Sequence, residues 1–275
     1  MHALITGMNG TVAPALAAVL ARNNFTITPW DRARMPTDSE SAVRATIEST
    51  SPDLICHIAT GDPKWAQWIA QVCAERKIPL LWTGTVSVFS ESARAPLTID
   101  TLPDATDDYG RYKIECERLI RAANPNAIIA RLGWQIGDSA GSNNMVDFLT
   151  REAEKSGGVI NASRNWIPSC AHLIDTSEAL WSLMNSRKSG LFQLEGNASG
   201  LSFFDIASAL ARPAERGWKV SPTDAPVRDN RMRDDRIRVG QLADRLRSQN
   251  WLTPANSPPK MNPAAAPARP QLRNP

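Results

Sequence analysis

Short apolar runs in the first half of the chain alternate with longer segments whose apolar residues recur every three or four positions. "HALITG" is an apolar run ending in glycine, and "TVAPALAAVLARNN" follows it with helical periodicity. "FTITPWD" then alternates like a strand and ends on an acid. "AVRATIEST" reads as a helix, "PDLICHIA" as a buried strand and "KWAQWIAQVCAERK" as a second helix. "IPLLWTGTVSVFS" predicts a strand running into a loop. Tyr109 to Ala123 predicts a helix, and "AIIARLGWQIG" one further strand. Strands alternating with helices of about a dozen residues predict βαβ units, and hence an α/β fold with a doubly wound parallel sheet.

From about Asn143 the alternation loosens. "MVDFLTREAEKSG" and "TSEALWSLMNSRK" read as helices around a short polar stretch containing "WIPSC". "GLFQLEG" reads as a strand and "SFFDIASALA" as a further helix. Residues 253–275 contain seven prolines and almost no large apolar side chains, so that tail is expected to be disordered. No internal repeat is present.

Composition narrows the function classes. With 275 residues, 42% hydrophobic and 21% charged, the chain has an ordinary globular make-up and can bury a sizeable core. A net charge of +3 is too small to argue for nucleic acid. The arginines between Arg212 and Arg247 are interleaved with acids, as on a mixed, solvated surface. No apolar window approaches the roughly 18 residues that span a bilayer, and the start of the chain carries no basic leader, so no membrane partner and a cytoplasmic location are expected. Cys56, Cys73, Cys116 and Cys170 show no paired spacing, and the three histidines are scattered, so no metal is expected.

The first strand-to-helix turn carries the first candidate chemistry. In "TGMNGTVA", Gly7 and Gly10 let the backbone turn sharply and approach a pyrophosphate, and the helix N-terminus behind them supplies N–H donors. Thr6, Asn9, Thr11 and Val12 belong to the same candidate loop. Asp31 ends the second strand some twenty residues on, where a carboxylate can accept hydrogen bonds from an adenosine ribose. Together these predict a dinucleotide site of the Rossmann type. Asp31 would repel a 2′-phosphate whereas Arg32 and Arg34 would pair with one, so both NAD(H) and NADP(H) stay open.

"DATDDYGRYKIECERLI" places Tyr109 four residues before Lys113, on one helical face. A free phenol has a pKa of about 10, and a nearby ammonium lowers it toward a working pH. With only two tyrosines in the chain, chance alone yields such a pair roughly one time in twenty, so the spacing gains weight only from its company. That company is "WTGTVSVF". A carbonyl reductase needs a second hydroxyl at the carboxyl end of a neighbouring strand, and Thr85 lies there, with Thr83 and Ser87 as competitors.

With these motifs in place, the chain resembles an extended short-chain dehydrogenase/reductase, and within that superfamily the dTDP-4-dehydrorhamnose reductase group of sugar-nucleotide reductases. The resemblance covers roughly residues 1–240. It rests on "TGMNGTVA", "PDLICHIAT", "TGTVSVF", "YGRYKIECERLI", "ARLGWQIG", "NWIPSCAHLIDTSEAL" and "APVRDNRMRDDRI". It implies a catalytic trio of Thr85, Tyr109 and Lys113, with Lys113 also holding the nicotinamide ribose. Ile58, Ala59 and Thr60 then fall beside the cofactor. Ser87, Arg131, Trp134, Asn143, Asn144 and Arg228 become candidate substrate contacts. His57 stands where the group has asparagine, Ile58 where it has a small residue, and the loop before "KWAQWIAQVC" is shorter than usual.

The resemblance implies hydride transfer between a nicotinamide cofactor and a nucleotide-linked keto-sugar, with a homodimer left open. Residues 1–142 would form mainly the dinucleotide-binding domain, residues 143–252 a small substrate lobe interleaved with the last sheet elements, and residues 253–275 the tail. Two alternatives share the cofactor site: a sugar-nucleotide epimerase with tightly held NAD, and a non-catalytic NAD(P)-binding regulatory subunit. A dehydratase would need acid and base carboxylates beside the threonine, whereas Val86 and Ser87 follow Thr85.

Overall fold

A computed structural model describes residues 1–137, 144–186, 188–213 and 216–250. Asn143 and the proline-rich tail lie outside these described residues. The chain begins β1 (His2–Ile5), α1 (Val12–Arg22), β2 (Thr26–Pro29), α2 (Glu40–Thr50), β3 (Leu54–His57) and α3 (Pro63–Arg76). It continues β4 (Leu80–Thr85), α4 (Asp108–Ala123), β5 (Ile128–Leu132), β6 (Trp134–Ile136) and α5 (Met145–Lys155). Then come β7 (Val159–Ser163), β8 (Trp166–Ile167), β9 (Cys170–His172), α6 (Leu173–Asn185) and β10 (Gly190–Leu194). The last elements are α7 (Phe203–Leu210), β11 (Lys219–Thr223), β12 (Arg228–Asp229) and α8 (Leu242–Ser248).

Six strands form one sheet in the order β10-β5-β4-β3-β1-β2, every neighbouring pair parallel. Strand order reverses between β1 and β3, and a crevice opens at the carboxyl ends of the strands there. Side chains alternate between the two faces of the sheet. Ala3 and Ile5 of β1 join a core with Leu16 and Leu20 of α1 and Leu180 and Leu183 of α6. Leu4 between them joins a second core with Ile47 of α2, Trp65 and Ile69 of α3 and Ile120 of α4. Both faces are therefore covered, as an all-parallel sheet requires.

Helix α4 begins where its sequence dictates. Asp107 caps α4, its Oδ1 accepting the Gly110 N–H at 2.9 Å. Tyr109 thus enters the first turn and Lys113 the second.

The second half departs from the sequence reading. "AIIARLGWQIG" is not one strand: it breaks at Gly133 into β5, which stays in the main sheet, and β6, which pairs with β9. The other short strands pair as β7 with β11 and β8 with β12. Each pair joins segments far apart in sequence, which no local pattern of apolar positions reveals. A third core, including Leu149, Ile160, Leu201, Ile206, Leu242 and Leu246, holds this part together.

Candidate active site

A cleft of about 780 Å³ opens at the carboxyl ends of β1 to β4. Gly7, Asn9, Gly10, Thr11 and Val12 line one end, with Asp31 and Arg32 beside them, and Ile58, Ala59 and Thr60 along the floor. Thr83, Thr85, Tyr109 and Lys113 line the other end. Gly7 has φ +83°, and a Cβ there would lie 2.9 Å from the Ala59 nitrogen, so only glycine lets the loop sit this close to the end of β3. The Thr11 hydroxyl is buried with no partner among the described residues, and α1 has no side-chain cap. A free hydroxyl at an uncapped helix N-terminus fits a pyrophosphate.

Thr6 is the exception among the loop residues. It is fully buried and does not line the cleft. Its Oγ1 accepts the backbone N–H groups of Ile58 (2.8 Å) and Ala59 (2.9 Å) and lies 2.9 Å from His57 Nδ1. With both lone pairs taken, the hydroxyl proton goes to Nδ1, so His57 carries its proton on Nε2. Burial pushes the His57 pKa down to about 3, helped by the charges of Lys113 and Arg32, so the ring is neutral. Thr6 is thus a strut that shapes the Ile58–Thr60 floor rather than a cofactor contact. His57, which sequence reasoning noted only as a departure, takes the Thr6 hydroxyl proton and so completes the strut.

Asp31 and Arg32 both reach the cleft, whereas Arg34 does not line it. The Asp31 carboxylate lies 3.7 Å from Arg34, and the Arg32 guanidinium sits 5.4 Å over the Trp65 ring. Carboxylate and guanidinium therefore meet the cofactor end together.

The trio converges on the far end. Lys113 is 3% exposed; its ammonium donates to the Thr83 carbonyl at 3.1 Å and lies 4.7 Å over Trp82 and 6.0 Å from the centroid of the Tyr109 ring. Burial lowers the Lys113 pKa to about 8. The Thr85 hydroxyl donates to Ser87 Oγ at 3.2 Å and accepts the Ser87 N–H at 3.1 Å, and it lies beside the Tyr109 phenol at this end of the cleft. The expectation that Lys113 depresses the Tyr109 pKa is not met in this geometry. Although Tyr109 is 47% exposed, partial desolvation by its neighbours raises the phenol, the nearby Thr85 hydroxyl opposes that rise, and the Asp107 charge adds to it. The ammonium is instead held by a carbonyl and an indole face.

Gly110 was missed in the sequence, although a glycine inside a helical pattern is a signal. A Cβ there would lie 2.5 Å from the Ser87 carbonyl oxygen and closer still to the Ala105 methyl. Its absence brings the start of α4, and with it Tyr109, against the Thr85–Ser87 loop.

The substrate candidates divide. Ser87, Trp134 and Arg228 line a pocket of about 230 Å³ that shares Thr85 with the cleft. Trp134 stacks near Trp166 and Phe203, with centroids at 6.1 and 6.0 Å, and meets Phe148 edge-on. Ser87, Tyr109 and Arg228 also line an outer pocket of about 700 Å³. Arg228 pairs only loosely with the exposed Glu91, at 3.4 Å.

Arg131 is not a substrate contact. It is 1% exposed, makes two hydrogen bonds to Glu117 at 3.0 and 2.8 Å, and donates to Gln193 at 3.3 Å. Its position at the end of β5 pointed to the site, but a buried carboxylate one turn beyond Lys113 captures it, clamping α4 to the sheet. Asn144 is also structural. It is 1% exposed, donates to the Gly137 carbonyl at 2.7 Å and caps α5 through the Val146 N–H at 2.8 Å.

The segment bearing Arg228 is fastened by Glu195, which follows β10. Its carboxylate accepts the N–H groups of Asn197 (2.7 Å) and Met232 (2.9 Å), and burial pushes its pKa up to about 7. Among the described residues no group of histidine, cysteine, aspartate and glutamate is placed to hold a metal, and no helix is long and apolar enough to cross a membrane.

A doubly wound sheet with a glycine turn at its switch point and a Thr–Tyr–Lys trio across the cleft defines a nucleotide-cofactor protein of the short-chain dehydrogenase/reductase type. Comparison with known proteins narrows that class. Residues 64–250 match the model of the RmlD substrate binding domain, and the chain belongs to that family. It is 25% identical over 283 residues to a dTDP-4-dehydrorhamnose reductase of Sinorhizobium fredii, covering 91% of this chain and 94% of that one. Among solved structures, dTDP-4-dehydrorhamnose reductase of Bacillus anthracis in complex with NADP superposes with TM-score 0.77 at 18% identity, covering 90% of this chain and 97% of the other. UDP-N-acetylglucosamine 4-epimerase of Bacillus cereus superposes with TM-score 0.69 at 16% identity, covering 86% and 88%. These two likenesses show the fold.

Proposed function

We propose that the chain is an NAD(P)-dependent oxidoreductase that reduces a keto group of a nucleotide-linked sugar. The observation that carries this reading is the meeting of Thr85, Tyr109 and Lys113 at one end of a cleft whose other end is the Gly7–Val12 turn. Family membership and the Sinorhizobium fredii relative make dTDP-4-dehydrorhamnose the first substrate to try.

Gly7, Gly10 and the N-terminus of α1 would hold the cofactor pyrophosphate, Asp31 or Arg32 the adenosine ribose, and Lys113 the nicotinamide ribose. When bound, the cofactor supplies the hydride. Thr85 holds the substrate oxygen against Tyr109, whose raised pKa keeps it a neutral phenol and a proton donor near neutrality. Trp134 offers an aromatic face to the sugar. On this reading residues 1–142 serve mainly the cofactor and residues 143–252 the sugar, with α6 and β10 completing the main sheet.

The test is to incubate the protein with reduced cofactor and a panel of nucleotide-linked keto-sugars. Stoichiometric loss of NADH or NADPH with formation of the hydroxy sugar is expected. Interconversion of sugar epimers without net cofactor consumption would replace this reading with an epimerase. Cofactor binding without turnover of any such sugar would leave a binding protein.

A further inference from the structure

The segment that follows β11 carries one residue whose chemistry is that of a substrate contact, on the reading that the chain reduces a nucleotide-linked sugar. Asn230, directly after β12, is 7% exposed. Its amide orientation follows from its neighbours. The Trp166 indole N–H at 3.2 Å and the Ser169 backbone N–H at 3.3 Å both meet one amide atom. Both neighbours are donors only, so that atom is the carbonyl oxygen. The other branch is the NH₂, which has no hydrogen-bond partner among the described residues.

Asn230 lines the 230 Å³ pocket together with Thr85, Ser87, Trp134, Trp166 and Arg228. Thr85 lines both this pocket and the cofactor cleft, whereas Asn230 lines only the pocket. The carbonyl undergoing reduction belongs beside Thr85 and Tyr109. A donor set apart from them meets a different oxygen of the same sugar.

We propose that the Asn230 amide donates to a sugar oxygen other than the one reduced, and thereby makes the enzyme select sugars that carry that oxygen. The two hydrogen bonds on its carbonyl fix the amide before substrate arrives. A site built to hydrogen-bond a substrate hydroxyl discriminates strongly against an analogue lacking it, because its own polar group is then left unpaired. Arg228 and Ser87 supply further donors along the same pocket, but Arg228 is shared with Glu91.

Asn230→Asp tests this directly. Aspartate keeps an oxygen for Trp166 and Ser169 and removes the NH₂, so the strut survives and the donor does not. The expected result is a KM for the sugar raised about tenfold, the value of one hydrogen bond. Turnover should stay within about threefold, and cofactor affinity should be unchanged. A substrate analogue lacking one ring hydroxyl should raise KM for the wild-type protein and leave it unchanged for Asn230→Asp. Asn230→Ala removes strut and donor together, and its lowered thermal midpoint measures the structural share separately. A KM for Asn230→Asp equal to that of the wild type, on a sugar the wild type turns over, overturns this inference alone. Failure of the wild type to turn over any nucleotide-linked keto-sugar overturns it together with the proposed reaction.

Discussion

Replacing Gly110 by alanine sets two effects of opposite sign against each other. In an ordinary helix interior, alanine is favoured over glycine by about 0.5–1 kcal/mol, so helix propensity alone forecasts a stabilised protein. At this position the new methyl would lie 2.5 Å from the Ser87 carbonyl oxygen and closer to Ala105. Non-bonded carbons need roughly 3.5 Å, so the start of α4 and the Thr85–Ser87 loop must part by about 1 Å. Overpacking of this kind costs about 1–3 kcal/mol, which exceeds the propensity gain and gives a net loss of up to about 2 kcal/mol. The same movement draws Tyr109 away from Thr85, and a misplacement of about 1 Å in a reacting group lowers turnover about a hundredfold. Steady-state oxidation of reduced cofactor with a nucleotide-linked keto-sugar, beside thermal unfolding, measures both. An alanine variant as active as the wild type and more stable would refute the claim that this glycine presses the two halves of the site together.

Three further outcomes follow from the site. Asp31→Ala should weaken NADH about tenfold while changing NADPH little, because the carboxylate favours a ribose without phosphate; equal losses in a fluorescence titration would remove Asp31 from ribose recognition. Arg131→Leu should lower stability by about 3–5 kcal/mol by leaving the buried Glu117 carboxylate with only the exposed Arg121 at 4.0 Å, and a variant with wild-type stability but weakened sugar binding would restore Arg131 to the substrate. Lys113 loses its proton as pH rises through about 8, and with it the positive charge proposed to hold the nicotinamide ribose. Reductive turnover should therefore fall above about pH 8, and a rate level to pH 10 would contradict the role of the ammonium.

Much of the fold was legible because parallel strands buried on both faces read as continuous apolar runs, and their helices as periodic ones. The glycine turn, Asp31 and the Tyr109–Lys113 spacing were legible for a related reason: each is a local motif whose geometry follows from a few consecutive residues. What stayed hidden depends on partners distant in sequence. Arg131 faces Glu117 and Asn144 caps α5, and nothing in "ARLGWQIG" or around Asn144 distinguishes a captured side chain from a free one. Thr6 was assigned to the cofactor from its place in the loop, yet its hydroxyl is taken by Ile58, Ala59 and His57. Asn230 became visible only once Trp166 and Ser169 were seen to fix its amide.

The most direct measurement is the turnover of Tyr109→Phe alongside its affinity for reduced cofactor. The phenol lines the cleft with Thr85 and Lys113, so losing its hydroxyl should leave cofactor binding unchanged and lower sugar reduction at least about a hundredfold. Undiminished reduction by the phenylalanine variant would contradict the assignment of this tyrosine as the proton donor.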